Sequence, residues 1–253
     1  MTEAFLTRAR LRADAPGAAL RPLLVSGNGS ERVSAGHRLV WTLFGDTADR
    51  TRDFLWREAE PGLFFVLSSR LPEDHSGLFE LDEPKPFAPS LNAGDRLGFT
   101  LRANATVSRG GKGKRRGTVS DVVMDALHSV PPGERAAARG KAVAQAGSRW
   151  LASQAGKAGF SVGAEPNPQK IDGFEHSPAR GDETAAVDGN SVVVSAYRTI
   201  RLDRRRGDSA SLGVLDFDGV LKVRDPVLFV ASVLKGFGRA KAFGCGLMLI
   251  RRV

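Results

Sequence analysis

Cysteine occurs once in the 253 residues, as Cys245, so no disulfide can form within the chain. Histidine is nearly as scarce, and His37, His75, His128 and His176 lie far from one another and from Cys245. Structural zinc sites gather such ligands in closely spaced pairs, so neither a metal nor any other cofactor is expected. The P-loop (GxxxxGK then Ser or Thr), zinc-protease (HExxH) and hydrolase-elbow (GxSxG) patterns are missing too, which removes those chemistries in their usual forms. The longest mainly apolar stretch, Val227 to Leu234, falls well short of the roughly 18 to 20 residues that cross a bilayer. With no basic segment leading into an apolar signal core at the N-terminus, a cytoplasmic address and no membrane partner are expected. Aromatic residues make up 7% with a single tyrosine, which argues against recognition mainly by base stacking.

What the chain has in excess is positive charge. Lys and Arg number 37 against 28 Asp and Glu, a formal net charge of +9, while 42% hydrophobic residues supply a core for one large domain or two small ones. Acidic residues are absent over two long stretches. Leu101 to Ser120 carries Arg102, Arg109, Lys112, Lys114, Arg115 and Arg116 with no acid, and its glycines make it a flexible loop. The chain after Asp225 again has no acid, but holds Lys235, Arg239, Lys241, Arg251 and Arg252; Arg198, Arg201, Arg204, Arg205 and Arg206 form a third cluster, broken by Asp203. Such patches bind phosphates and release counterions, so RNA or DNA is the expected partner; the plain alternative is a solvated basic face.

The periodicity points to an α+β organisation. Phe5 to Arg12 alternates as a half-buried strand, and Ser34 stands as the N-cap of a helix presenting Leu39, Val40, Leu43 and Phe44. Strands are expected at 53–58 and 63–69 around Glu60-Pro61-Gly62, and at 96–104. Helices follow at 119–127 and 134–158, a long polar loop at 165–190, then strands at 191–203 and 212–223. Asp225-Pro226 opens and Lys235-Gly236 closes a helix, and 246–252 supplies a last strand.

Two segments carry candidate chemistry. In Lys235 to Gly246, the glycines Gly236, Gly238, Gly244 and Gly246 let the backbone approach a ligand, while Arg239 and Lys241 can reach phosphates. Their spacing is not that of a dinucleotide site. His37, placed in the first helical turn by a cap at Ser34, would sit where the helix dipole favours both a phosphate and a neutral imidazole. The plain readings are a glycine-rich turn and a packed structural histidine.

The pairing of His37-Arg-Leu-Val-Trp-Thr-Leu-Phe44 with Gly236-Phe-Gly-Arg-Ala-Lys-Ala-Phe-Gly-Cys-Gly-Leu-Met248 resembles the CasE family, the RNA-processing endoribonucleases of the type I-E CRISPR surveillance complex, Cascade. Leu101-Arg-Ala-Asn104, Trp150-Leu151 with Gly159-Phe160, and Gly213 to Leu221 extend the resemblance over nearly the whole chain. It implies two tandem ferredoxin-like (βαββαβ) domains, here 1–105 and 119–253 joined by a basic loop at 106–118. It also implies metal-free cleavage within the repeats of a CRISPR precursor RNA, and retention of the product hairpin beside other Cascade subunits. The family's catalytic histidine falls on His37 and the basic loop positions on Arg239 and Lys241. Where many members carry a tyrosine, three residues before the histidine, this chain has Ser34, so no tyrosine role carries over.

In such a reaction the RNA's own 2′-hydroxyl attacks the adjacent phosphate, with His37 as general base or acid and Lys241 or Arg239 holding the developing charge. A non-catalytic RNA-hairpin scaffold and a charge-driven DNA-binding protein remain the alternatives.

Overall fold

The computed structural model describes residues 3–14, 29–45, 51–110, 118–163, 192–203 and 209–253. Strand β1 (Phe5–Leu11) is followed by helix α1 (Gly29–Thr42), strands β2 (Phe54–Glu60) and β3 (Leu63–Ser68), and the short β4 (Phe79–Leu81) and β5 (Lys85–Pro86). They form an antiparallel sheet in the order β2-β3-β1-β4, with β5 also beside β1. The alternation of β1 buries Thr7, Ala9 and Leu11 and exposes Arg8 and Arg10. Between β2 and β3 the chain reverses at Pro61-Gly62; Gly62 takes the left-handed conformation (φ 79°) that the turn needs. Ala35, Leu39, Val40, Leu43 and Phe44 of α1 and the turn after it pack on Phe54, Trp56, Phe64 and Val66 of the sheet, closing a first core.

Helix α1 begins at Gly29, so Ser34 lies inside it and not at its cap. Nothing in Glu31-Arg32-Val33 breaks a helix, and Arg32 is tied to Glu58 on β2 at 3.0 Å, which fixes that early turn. His37 is therefore mid-helix, and the expected help from the helix N-terminus does not reach it.

The second half runs β6 (Arg96–Ala103), a hairpin of β7 (Thr106–Arg109) and β8 (Thr118–Asp121), helices α2 (Val122–His128) and α3 (Arg135–Ala155), β9 (Phe160–Ser161), the long hairpin β10 (Val192–Asp203) and β11 (Ser209–Val223), α4 (Pro226–Lys235) and β12 (Met248–Arg252). Its sheet order is β10-β11-β6-β12, with β9 beside β11. Counted within each half, both sheets read second, third, first, fourth, the antiparallel ferredoxin-like order, so the chain is two such domains in tandem. Between β3 and β4 the first domain has a turn held by Asp74, whose carboxylate accepts from the backbone N–H groups of Ser76 and Phe79 at 3.1 and 2.8 Å, where the second has a helix.

This topology corrects the boundary expected at residue 105. Strand β6 does alternate, burying Leu97, Leu101 and Ala103 with Phe99, but it is flanked by β11 and β12 and opens the second domain. Alternation reports which side of a strand is buried and is silent about which sheet it joins. The division falls between β5 and β6, and the basic segment 106–118 is a hairpin insertion within the second domain. The helix expected from residue 119 starts at Val122, because Asp121 accepts from the N–H groups of Val123 and Met124 at 2.9 and 3.0 Å and caps it. Helix α4 matches its sequence signals: Asp225 accepts from Leu228 N–H at 2.9 Å, Pro226 occupies the first turn, and Gly236 (φ 76°) ends it. The polar loop expected at 165–190 lies outside the described residues. Among the described residues no helix is long and apolar enough to cross a membrane.

Candidate active site

The site is organised by Trp56, an almost fully buried residue of β2. Its indole N–H donates to the carbonyl of Ala242 at 3.2 Å, anchoring the 3-10 turn Lys241–Phe243 of the glycine-rich segment. Helix α1 meets the same ring through Gly36, where a Cβ would come within 2.9 Å of Trp56, and Gly244 approaches it from the loop, where a Cβ would lie at 3.2 Å. One indole thus gathers a helix from near the N-terminus and a loop from near the C-terminus. His37, the residue after Gly36, faces that turn: its ring centroid lies 6.1 Å from that of Phe243 and 6.2 Å, edge-on, from that of Trp41.

His37 is half-buried, and its Nδ1 is sealed from solvent without a hydrogen-bond partner. Burial lowers its pKa below the ordinary histidine value of 6.5; the positive charge of Arg52 lowers it further, the Ala242 carbonyl opposes them, and Arg38 adds a smaller push. The neutral imidazole is favoured. Lys241 is depressed as well, by burial and by the charges of Arg52 and Lys235, and its Nζ donates to the carbonyl of Lys235 at 2.7 Å. Three cationic or potentially cationic groups therefore share one site.

The glycines of the loop are explained by the protein's own packing. Gly238 (φ 71°) lies against the Asn104 carbonyl, 2.7 Å from where a Cβ would stand, and Gly246 (φ 95°) against the Phe237 carbonyl at 2.8 Å. Gly236 is packed likewise against Leu55, so all four shape the loop. Buried Asn104 pins it: its carbonyl accepts from Arg239 N–H at 3.2 Å and its amide donates to the Gly213 carbonyl at 2.7 Å. The exposed side chain of Arg239 meets no carboxylate among the described residues.

The other basic residues expected at the site divide into groups. Arg102 donates to both oxygens of Asp216 at 2.8 and 3.4 Å and to the Glu58 carbonyl at 3.2 Å, and so braces the two domains. Arg198 shares Asp216. Exposed Arg109 is paired with Asp125 on α2 at 2.6 and 2.7 Å, an acid just past the stretch that had looked free of them. Lys112, Lys114, Arg115, Arg116 and Arg204 to Arg206 lie outside the described residues. Between the domains a cleft of about 350 Å3, lined by Trp56, Glu58, Arg102, Arg198 and Phe243, reaches Cys245, whose thiol burial pushes up to about 12. That cysteine is an inert packing residue.

Sequence reasoning missed two features. Arg52 directly precedes the strand expected at 53–58, and no local signal marks it. The second is a basic stripe: Lys141 and Arg149 on α3, with Lys157 in the turn just past its end, alternate with Gln145 and Ser153 at four-residue spacing along a groove of about 740 Å3 beside the β7–β8 hairpin. Trp150, which also lines that groove, contacts Gly238, so the stripe adjoins the loop bearing Arg239. The i, i+4 spacing was legible; the interleaved neutral residues hid it. Among the described residues no three His, Cys, Asp or Glu side chains come together to hold a metal ion.

A family model described as CRISPR associated protein matches residues 4–252. The chain belongs to that family, as the CasE resemblance of its motifs implied. This CRISPR-associated chain is similar to the Cascade subunit CasE of Escherichia coli K12, 23% identical over 216 residues, covering 84% of this chain and 88% of the relative. It is 27% identical over 180 residues to the CRISPR-associated endoribonuclease Cse3 of Thermus thermophilus, covering 69% of this chain and 64% of that one. A structure of Thermus thermophilus Cse3 bound to an RNA representing a pre-cleavage complex superposes with a TM-score of 0.60 at 25% identity, over 98% of this chain and 99% of that one.

Proposed function

We propose that this chain is a CRISPR endoribonuclease that cuts precursor RNA within its repeats by attack of the RNA 2′-hydroxyl, without a metal ion, and keeps the product hairpin as a subunit of Cascade in the cytoplasm. The observation that carries the reading is the meeting of His37 with the turn that begins at Lys241, from opposite ends of the sequence, over the Trp56 platform. The relatives' names supply the RNA and the complex; the chemistry follows from the groups present. A neutral imidazole takes the proton of the 2′-hydroxyl as its oxygen bonds to phosphorus, the 5′-oxygen leaves, and nearby positive charge holds the extra negative charge of the transition state. The lowered pKa of His37 makes general base the better of its two roles. The ends formed are a 2′,3′-cyclic phosphate and a 5′-hydroxyl. Lys112, Lys114, Arg115, Arg116 and Arg239, with the glycine-shaped loop, are assigned to the RNA phosphates, and the α3 stripe extends that surface.

The test is incubation of the purified chain with the repeat RNA of its own locus in chelator. Cleavage leaving the stated ends is expected, together with its loss in His37→Ala and in RNA whose attacking 2′-hydroxyl is replaced by hydrogen, both with hairpin binding retained. Efficient cutting of the 2′-deoxy substrate would overturn the mechanism, and unchanged cutting by His37→Ala would remove that residue's role.

A further inference from the structure

Arg52 precedes β2 and is half-buried, and its Nη1 is closed off from solvent with no hydrogen-bond partner. The adjacent carboxylate is already used. Asp53 accepts from Arg70 at 2.7 and 3.4 Å, and Arg70 is itself held over the Phe44 ring, 5.0 Å from its centroid. Among the described residues no carboxylate pairs with Arg52. Its charge instead acts on His37 and Lys241. An unpaired guanidinium beside two other positive groups is unfavourable in the free protein, and a single anion at its accessible side offsets that clustering of charge. Lys241 is the less available cation, because one of its three N–H groups is spent on the Lys235 carbonyl.

Resting on the endoribonuclease reading above, we propose that Arg52 is a further catalytic residue, whose half-buried guanidinium donates from its accessible side to a non-bridging oxygen of the scissile phosphodiester beside Lys241. As the 2′-oxygen bonds to phosphorus and the bond to the 5′-oxygen breaks, the guanidinium holds the charge that accumulates on the non-bridging oxygens. The 2′-hydroxyl proton passes to His37, and the departing 5′-oxygen takes a proton from water. A guanidinium suits this task better than an ammonium, since its planar fork fixes the phosphate as well as neutralising it. The arrangement also couples binding to proton transfer. The charges acting on His37 come from Arg52 and from Arg38 on its own helix, while the glycine-rich loop contributes the Ala242 carbonyl. A phosphate bound to Arg52 cancels the larger of those two charges, so His37 gains proton affinity in the complex where it must accept one.

The test is single-turnover cleavage of the repeat RNA at saturating protein by wild type, Arg52→Gln, Arg52→Lys and His37→Ala, with Kd measured on the 2′-deoxy RNA and folding checked by thermal melting. Arg52→Gln is expected to cut about 100-fold more slowly with Kd changed less than about threefold, and Arg52→Lys to recover part of the rate. NMR titration of His37 in the RNA-free protein should give a higher pKa in Arg52→Gln than in wild type, which places the guanidinium charge beside the imidazole, while the rate loss at near-constant Kd with partial rescue by Arg52→Lys is what a merely structural arginine would not produce. Wild-type rate and an unmoved His37 titration in folded Arg52→Gln, with His37→Ala inactive, would overturn the role of Arg52 and leave the endoribonuclease reading standing. Full activity in His37→Ala would remove that reading and Arg52 with it.

Discussion

His37 and Arg52 illustrate how unequally single residues declare themselves. In a chain with four histidines and a recognisable motif around one of them, His37 stood out from the sequence. Its environment did not, because the helix begins at Gly29 and the effect expected from a capped N-terminus is supplied instead by burial and by Arg52. Arg52 was invisible, since only the fold reveals that Asp53 belongs to Arg70. The depressed His37 has a consequence for pH. The base form is the neutral imidazole, so cleavage is lost as pH falls through the pKa of His37, and that pKa lies below the ordinary value of 6.5. A pH profile of kcat/KM, which reports the free protein, should therefore place the midpoint of its acid limb below 6.5. An acid limb of kcat/KM centred above 6.5 would contradict the electrostatics described for the free site.

Helices and strands were legible where their end signals are local. Asp225-Pro226 and Gly236 fixed α4 to within a residue at each end, and Pro61-Gly62 fixed the β2–β3 turn, because capping and turn geometry depend on a few neighbouring atoms. The start of α2 was misplaced because Val119 and Ser120 pair with β7, a tertiary preference that short-range pattern does not carry. Helix α3 was placed correctly, yet its function-bearing side went unread. Lys141 and Arg149 stand about 12 Å apart along the helix at 1.5 Å per residue, and Lys157 continues the line in the turn after it, far enough to follow successive phosphates of a stem. Replacing Lys141, Arg149 and Lys157 together by Gln should weaken hairpin binding and lower the slope of log K against log salt by about 2 to 3, through three lost phosphate contacts. The cleavage rate at saturating protein should stay within about twofold of wild type, because no residue of the stripe belongs to the His37 site. An unchanged salt slope would reduce the stripe to a solvated face.

The two domains could not be divided correctly from the sequence, because the strand that looked like the end of the first is the beginning of the second. The reason is also what makes the site possible. Strand β6 sits centrally between β11 and β12, and from it Arg102 reaches the Glu58 carbonyl on β2 while Arg57 on β2 donates to Thr100 on β6 at 2.9 Å. Asp216 on β11 orients this brace by holding Arg102 and Arg198 together. It is nearly buried, 9% exposed, so its removal would leave two guanidinium groups without their shared counter-ion in a poorly solvated cleft. Asp216→Asn, which keeps the volume and loses the charge, should lower unfolding free energy by about 2 kcal/mol in denaturant titration. Its effect on cleavage should exceed its effect on RNA affinity, because the brace sets how the Trp56 platform on one domain meets the glycine-rich loop of the other, whereas the α3 stripe stays intact. Equal losses in rate and affinity, or a stability indistinguishable from wild type, would show that the domains are held in register without the Asp216 brace, by contacts such as those of Trp56 and the Arg57–Thr100 bond.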